Sequence, residues 1–398
     1  MEHGITVVCA GESPPAQWNA SLFLAGPTPR SDDVASWRPE ALAEIEDQWG
    51  DRGGLVVFVP EPRDGGRWPD YDDQRHWELY WGDRVDAVLF WIPRGPGLPG
   101  LTTNDEWGRW KDSGRSVLGT PPGADQVRYQ RDYAQEVHVP LADTLAATIS
   151  HALGPLESGA RRIGGQRHVP LQIWRTEAFQ SWLAALEGAG NELREARQEW
   201  IHRVGPRHEH MLFSVLQAVV YVTAEDRLKT NEVVLSRPDV ASVVAYRHNG
   251  PLEDTEIVLV REFRTTGSAD DGFVRELPGG SRFVGMADPR SVAANELREE
   301  TGLVVAPERL RKHHVRQVAA TLSTHRAHLY SVELTGPETE KLRSDAATHG
   351  EAADSERTYV EVARLSDLTA LSRIDWSTLG AILEVLLEAS RVVAGGTC

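Results

Sequence analysis

Between Ile5 and Leu153, short and wholly apolar runs alternate with stretches of helical periodicity, which limits the possible folds more than any other feature of the chain. Residues 21–25, 55–59 and 87–91 read as strands, with a weaker one at 115–119. Helical spacing fits 33–49, 73–82, 104–112 and 141–151. A strand apolar at every position is buried on both faces, and helices between such strands cover a parallel sheet from both sides. Residues 1–153 are therefore expected to form an α/β domain with a doubly wound, flavodoxin- or Rossmann-like sheet. Residues 154–170 hold four glycines, two prolines and three arginines and read as a linker. From 174 to 201, Trp174, Phe179, Trp182, Leu183 and Leu186 recur at helical spacing, and Gly188 and Gly190 split the run into two helices. Residues 154–204 are thus taken as linker and connector helices.

From 205 to 398 the pattern changes. Strand-like runs occupy 218–223, 232–236, 240–246 and 256–261, one helix covers 293–301, further strands fall at 328–334 and 358–362, and a last helix spans 378–393. This order fits an α+β sandwich. The polar stretch 335–355 reads as a loop.

Charge and cysteine usage narrow the partners. Lys plus Arg total 42 against 59 for Asp plus Glu, a net charge of -17. Duplex nucleic acid and anionic membranes need the opposite balance, so neither is expected as a partner. The two cysteines, Cys9 and Cys398, build neither a disulfide framework nor a thiolate zinc site. No apolar run approaches the ~20 residues that span a bilayer, and a cytoplasmic location is expected. His76 and the His313–His314 pair lack zinc-type partners at useful spacing and read as structural or peripheral.

The most specific local signal is Gly279-Gly280 followed by Asn295-Glu296-Leu297-Arg298-Glu299-Glu300-Thr301-Gly302-Leu303. On a helix Glu296, Glu299 and Glu300 share one face. Three carboxylates there repel each other unless solvent or a cation separates them. A hard divalent ion such as Mg²⁺ or Mn²⁺ suits these oxygens. With Glu276-Leu277-Pro278 before the glycines, the segment resembles the Nudix box of nucleoside-diphosphate-X hydrolases. The run Val260-Arg261-Glu262-Phe263-Arg264 resembles the strand preceding that box in ADP-ribose pyrophosphatases. The resemblance covers about 205–395 and implies a Nudix sandwich. It makes Glu296 and Glu300 the main metal ligands and Glu299 a further ligand or base helper. It also implies a late acid, Glu356 or Glu351, completing the metal site, and Arg264 as a substrate contact. The box departs from the family at Ala287 and Asn295, where a Glu and an Arg are usual.

In the first region, Ser21-Leu22-Phe23-Leu24-Ala25-Gly26-Pro27 runs from a strand into a turn. Doubly wound sheets bind ligands beyond such strand ends. Gln74, Trp77-Glu78, the run Asp86–Trp91 and Thr102-Thr103-Asn104-Asp105-Glu106-Trp107-Gly108 follow in order. Together these resemble the nucleoside 2-deoxyribosyltransferase family, especially its nucleotide N-glycosidase relatives, over about 1–153. The resemblance implies Glu106 as a nucleophile that attacks C1′ of a ribosyl group. Asn104 is a candidate cap for its helix, and the bland alternative for Glu106 is complementing a helix dipole. Gly26, Pro27, Arg30, Trp77, Glu78 and Asp86 form the expected substrate-binding set. Trp81 and Trp91 are further candidates to stack a base, and Arg84 is a lesser phosphate candidate.

The fusion implies a bifunctional, homo-oligomeric enzyme of small nucleotides. Its Nudix domain cleaves a diphosphate with Mg²⁺, and its N-terminal domain cleaves or transfers an N-glycosidic bond. Two other readings remain open. In one, a degenerate Nudix domain senses a ligand and regulates the glycosidase. In the other, only the Nudix domain is active and the N-terminal domain serves binding or oligomerisation.

Overall fold

The computed structural model describes residues 4–30, 33–64, 70–205, 208–267, 269–281, 288–350, 357–370 and 374–395. The chain divides into two compact units, Met1–Leu235 and Ser236–Cys398.

The first unit opens with β1 (Gly4–Cys9), β2 (Gln17–Trp18), β3 (Ala20–Ala25), α1 (Arg38–Trp49), β4 (Gly54–Val59) and α2 (Tyr71–Gly82). Then come β5 (Ala87–Trp91), α3 (Leu101–Trp110), β6 (Ser116–Gly119), α4 (Arg128–Glu136), β7 (Leu141–Ala142) and α5 (Leu145–Leu153). Six of these strands form a parallel sheet in the order β1-β4-β3-β5-β6-β7. Successive residues point to opposite faces, so the apolar runs feed two cores. Leu22, Leu24, Val57 and Leu89 pack with Ile45 and Trp49 of α1 and Ile149 of α5. Phe23, Phe58, Val88 and Phe90 pack on the other side with Trp81, Trp107 and Trp110 of α2 and α3. The chain leaves β3 toward β4 on one side and leaves β4 for β5 on the other. The crevice at this change of direction lies beyond the ends of β3 and β5, where such sheets bind ligands.

The unit continues through β8 (Arg162–Ile163), α6 (Leu171–Trp174), α7 (Glu177–Gly188), β9 (Glu192–Val204), β10 (His210–Val222) and β11 (Arg227–Ser236). Two expectations are corrected here. Residues 154–170 are no free linker, because Arg162 within them is fully buried and grips Asp86. Residues 192–201, expected to be helical, instead belong to β9 of an antiparallel β11-β10-β9 sheet. Gly190 turns the chain with φ +78 after α7, and the β-branched β10 then supplies a ladder that overrides the local helical spacing. The expected domain border at 204/205 falls in the β9–β10 hairpin.

The second unit holds β12 (Val240–Arg247), β13 (Glu256–Phe263), β14 (Phe273–Glu276), β15 (Gly279–Ser281) and α8 (Pro289–Thr301). It ends with β16 (Arg311–Gln317), β17 (Arg326–Glu333), α9 (Gly336–Arg343), β18 (Thr358–Arg364), α10 (Leu365–Ala370) and α11 (Trp376–Gly395). Its sheet is mixed. The main path runs β14-β13-β12-β17-β16, with β15 paired to β12, β18 paired to β13, and β12–β17 parallel. Val243 and Ala245 meet Val292 and Leu297 of α8, while Val244 and Leu259 meet Ile382 and Leu386 of α11. Helices thus cover both faces. Part of the stretch expected as a loop is α9, started by a Thr335–Glu338 capping box. No helix among the described residues is long and apolar enough to cross a membrane.

Candidate active site

Beyond the strand ends of the parallel sheet lies a cleft of about 1240 Å³. Its walls are the turn after β3 (Gly26, Thr28–Arg30), the segment after β4 (Pro60–Pro62), one side of α2 (Tyr71, Gln74, Arg75, Glu78) and the start of α3 (Gly100–Thr102, Asp105, Glu106). The turn can be no residue other than glycine at its first position. A Cβ at Gly26 (φ +151) would lie 2.2 Å from the Trp91 carbonyl oxygen and 2.9 Å from the Trp37 ring. Gly26, Arg30, Glu78 and Glu106 of the expected set therefore meet in one place.

Glu106 carries the most perturbed carboxyl of the cleft. Burial pushes it up to about 8; the negative charge of Glu78 adds to this, and the Arg38 guanidinium opposes it. Burial also raises Glu78, against a hydrogen bond from Gln74 Nε2 at 2.8 Å and the field of Arg38. Four arginines, Arg30, Arg38, Arg75 and Arg109, share the cleft with four acids, Glu61, Glu78, Asp105 and Glu106. Arg109 is committed to Asp83 through two bonds of 2.8 and 2.6 Å.

Several expected residues stand elsewhere. Asp86 is buried: its carboxylate accepts from Ser21 N and Oγ at 2.7 and 2.9 Å, from both Arg162 η-nitrogens at 2.7 and 2.5 Å, and from Leu171 N at 2.7 Å. With its lone pairs so spent it binds no substrate. Pro27 is buried beneath the turn, and its carbonyl accepts the Trp37 indole N–H at 3.1 Å. Trp77 packs between Phe23 and Phe58, Trp81 stacks on Phe58 at 4.6 Å, and Trp91 sits in the core. These rings are packing rather than a platform for a base. The aromatic that does line the cleft is Tyr71, 68% exposed. Arg84 stacks on Tyr80 and bonds its carbonyl, away from the cleft lining. Because α3 begins at Leu101, Asn104 caps nothing; its Oδ1 accepts from Arg94 and Gln130, both at 2.7 Å.

Sequence reasoning missed Arg38 and Glu61. The sequence carried no signal for Arg38, because the helix expected over 33–49 placed it in mid-helix; only the structure starts α1 there, where the dipole disfavours a cation.

In the second unit, α8 starts at an Asp288 cap and ends at Gly302, in the left-handed conformation (φ +68). Glu296 and Glu300 lie on its side toward β15, while Glu299 is exposed. Gly279 N donates to Glu300 at 2.9 Å, and a Cβ on Gly280 would lie 2.1 Å from a Glu296 oxygen. The Gly-Gly pair is what lets a strand approach an acidic helix so closely. Glu299 takes a 2.6 Å bond from Arg298. Among the described residues, the three His, Asp or Glu side chains whose ligand atoms lie within 4.8 Å of one another are His314, Glu384 and Glu388, not the three α8 glutamates. Arg264 pairs with Glu262 and Glu276 at 2.9 and 3.0 Å and remains partly exposed. Glu351, Glu356 and Ala287 lie outside the described residues. His313 and His314 pair with Glu388 and Glu384 of α11, which sequence spacing did not reveal; Arg311 and Arg316 bind the same two acids.

No protein-family model and no curated protein matches the sequence.

Proposed function

We propose that the first unit cleaves or transfers the N-glycosidic bond of a nucleoside or nucleoside monophosphate, with Glu106 as nucleophile. The second unit, in this reading, hydrolyses a nucleotide diphosphate with a divalent cation. The observation that carries the first half is the convergence of Glu78 and Glu106 with the Gly26 turn on one cleft at the direction change of a parallel sheet. The motif resemblances support both halves.

Two interacting carboxyls that are both raised hold one proton between them through the neutral range. That state supplies a base and an acid together. The Glu106 carboxylate attacks C1′ and forms an ester as the C1′–N bond breaks. The electron pair goes to the departing base, which takes the proton from Glu78. Water then attacks C1′ and returns its proton to Glu78, freeing the sugar and regenerating Glu106. Positive charge developing at C1′ favours the ionised form of Glu106, so the proton resides on Glu78 in the transition state. In the second unit Glu296 and Glu300 would hold the cation, which when bound polarises a diphosphate and its attacking water. Glu299, paired with Arg298, orients that edge of the site.

The test is incubation of the chain with Mg²⁺ and nucleoside mono-, di- and triphosphates, ADP-ribose and NAD, with products read by mass. Free base should fall by at least about 10²-fold in Glu106→Gln and persist in Glu300→Gln. New monophosphate should show the reverse dependence. Base release undiminished in Glu106→Gln sinks the first half. Base release should also decline as pH rises through about 8, because the carboxyl pair then has no proton to give. The exposed Asn295, where the related box has an arginine, favours one second reading, a sensor. Nucleotide binding without Mg²⁺-dependent cleavage of any diphosphate would establish that reading for the second unit.

A further inference from the structure

Arg38 is 1% exposed, yet its guanidinium faces the cleft. Nε and Nη2 donate to the Leu24 carbonyl at 3.4 and 3.3 Å, and Nη2 also donates to the Gly26 carbonyl at 2.9 Å. Nη1 donates to Thr28 Oγ1 at 3.1 Å and to Glu61 Oε1 at 2.5 Å. One side chain thus fastens the end of β3 and both sides of the Gly26 turn. Glu61 is held in its own right by Ser36 Oγ, at 2.9 and 3.2 Å from its two oxygens. Its backbone carbonyl accepts Ala10 N at 3.2 Å. A buried charge of this kind costs several kcal/mol of desolvation unless it is paired, and Glu61 is the pair.

We infer that Arg38 is a positioning residue for the Glu106–Glu78 pair: clamped by Glu61, it fixes the turn that walls the cleft and directs what remains of its charge at the two carboxyls. The inference rests on the proposed role of the cleft only for its meaning, since the clamp and the field exist whatever the substrate is. Glu61 acts as a regulator of that field. Its negative charge cancels part of the Arg38 charge that Glu106 and Glu78 experience, which leaves them short of a full counter-ion. A more fully available Arg38 would lower both carboxyls and loosen their hold on the proton that a leaving base needs.

Several other groups bear on Glu106. Asp105 stands beside it on α3 and raises it, and Glu78 on α2 does the same. Arg30 lies on the turn after β3 and Arg75 on α2, while Arg109 is neutralised by Asp83. None of these is altered by a change at Glu61.

The experiment is a carboxyl ¹³C titration by NMR of the full chain labelled at glutamate. The Glu106 resonance is identified by its loss in Glu106→Gln. In Glu61→Gln the glutamine amide oxygen still accepts from Ser36 and Arg38, so the fold is kept while the charge is lost. The Glu106 midpoint should then fall by about one pH unit or more, the size of effect a close cation exerts. In Arg38→Met it should rise, and in Arg38→Lys, which retains charge, it should stay nearer wild type. With a nucleoside substrate, the upper limb of the pH profile for base release should move to lower pH in Glu61→Gln. A Glu106 midpoint unmoved or raised in Glu61→Gln overturns the inference, and so does an equal downward shift when Glu61→Gln is placed on Arg38→Met, because loss of the Glu61 charge by itself also lowers Glu106. Titration shifts as expected, but without base release from any nucleoside, would sink the glycosidase reading and leave the positioning role standing.

Discussion

At Asp86 the carboxylate accepts five hydrogen bonds in a dry environment, one pair of them from the fully buried Arg162. At Glu106, twenty residues on, a carboxyl of the same chemistry is left in a cleft and held up to about 8 by burial and by Glu78. The sequence presents both as acids near strand or helix ends, so residue type and spacing do not separate them. What separates them is the partner, and Arg162 lies in a stretch whose glycines and prolines read as a linker. Replacing Asp86 with alanine strands the Arg162 charge in the core and should cost about 3–5 kcal/mol, the usual penalty for breaking a buried pair. Urea unfolding of the full chain measures it. Asp105→Ala, on an exposed position, should shift stability by no more than about 0.5 kcal/mol in the same assay.

At the scale of elements, the strands of the parallel sheet were legible because apolar runs buried on both faces leave little ambiguity. Residues 87–91 were read with the bounds β5 has, and the expected Ser21–Ala25 strand begins one residue later than β3. Residues 192–201 were not legible. Their local spacing is compatible with a helix, and the strand forms because β10 supplies a long-range ladder that no window along the chain contains. The Glu296–Glu300 side of α8 was legible from i, i+4 spacing, but the role of Gly279-Gly280 emerges only when β15 is laid against that helix. Gly280→Ala would force the Glu296 carboxylate aside. The Glu296 side chain is flexible, so the unit should stay folded while Mg²⁺ affinity measured by calorimetry drops by about tenfold or more. Unchanged Mg²⁺ affinity in a folded Gly280→Ala chain, or no Mg²⁺ binding by the wild type, would remove Glu296 from the proposed metal site.

At the scale of the whole molecule, the border between units falls at Leu235/Ser236, not at the change in residue pattern near 205. A fragment of residues 1–235 should melt in one cooperative transition. A fragment of residues 1–204 keeps β9 but loses β10, leaving Leu193 and Ala196 without the partners that bury them. It should aggregate, or lose the helical and strand signals of its last third, when followed by circular dichroism and size-exclusion chromatography.

The Arg162–Asp86 contact bears on ancestry as much as on stability. Had residues 1–153 ever been shuffled by recombination onto a new neighbour, the recipient would have inherited a naked carboxylate in its core. A transplant that keeps the fold must therefore carry its own counter-charge, so the shortest portable piece of this sheet runs past α5 to include Arg162.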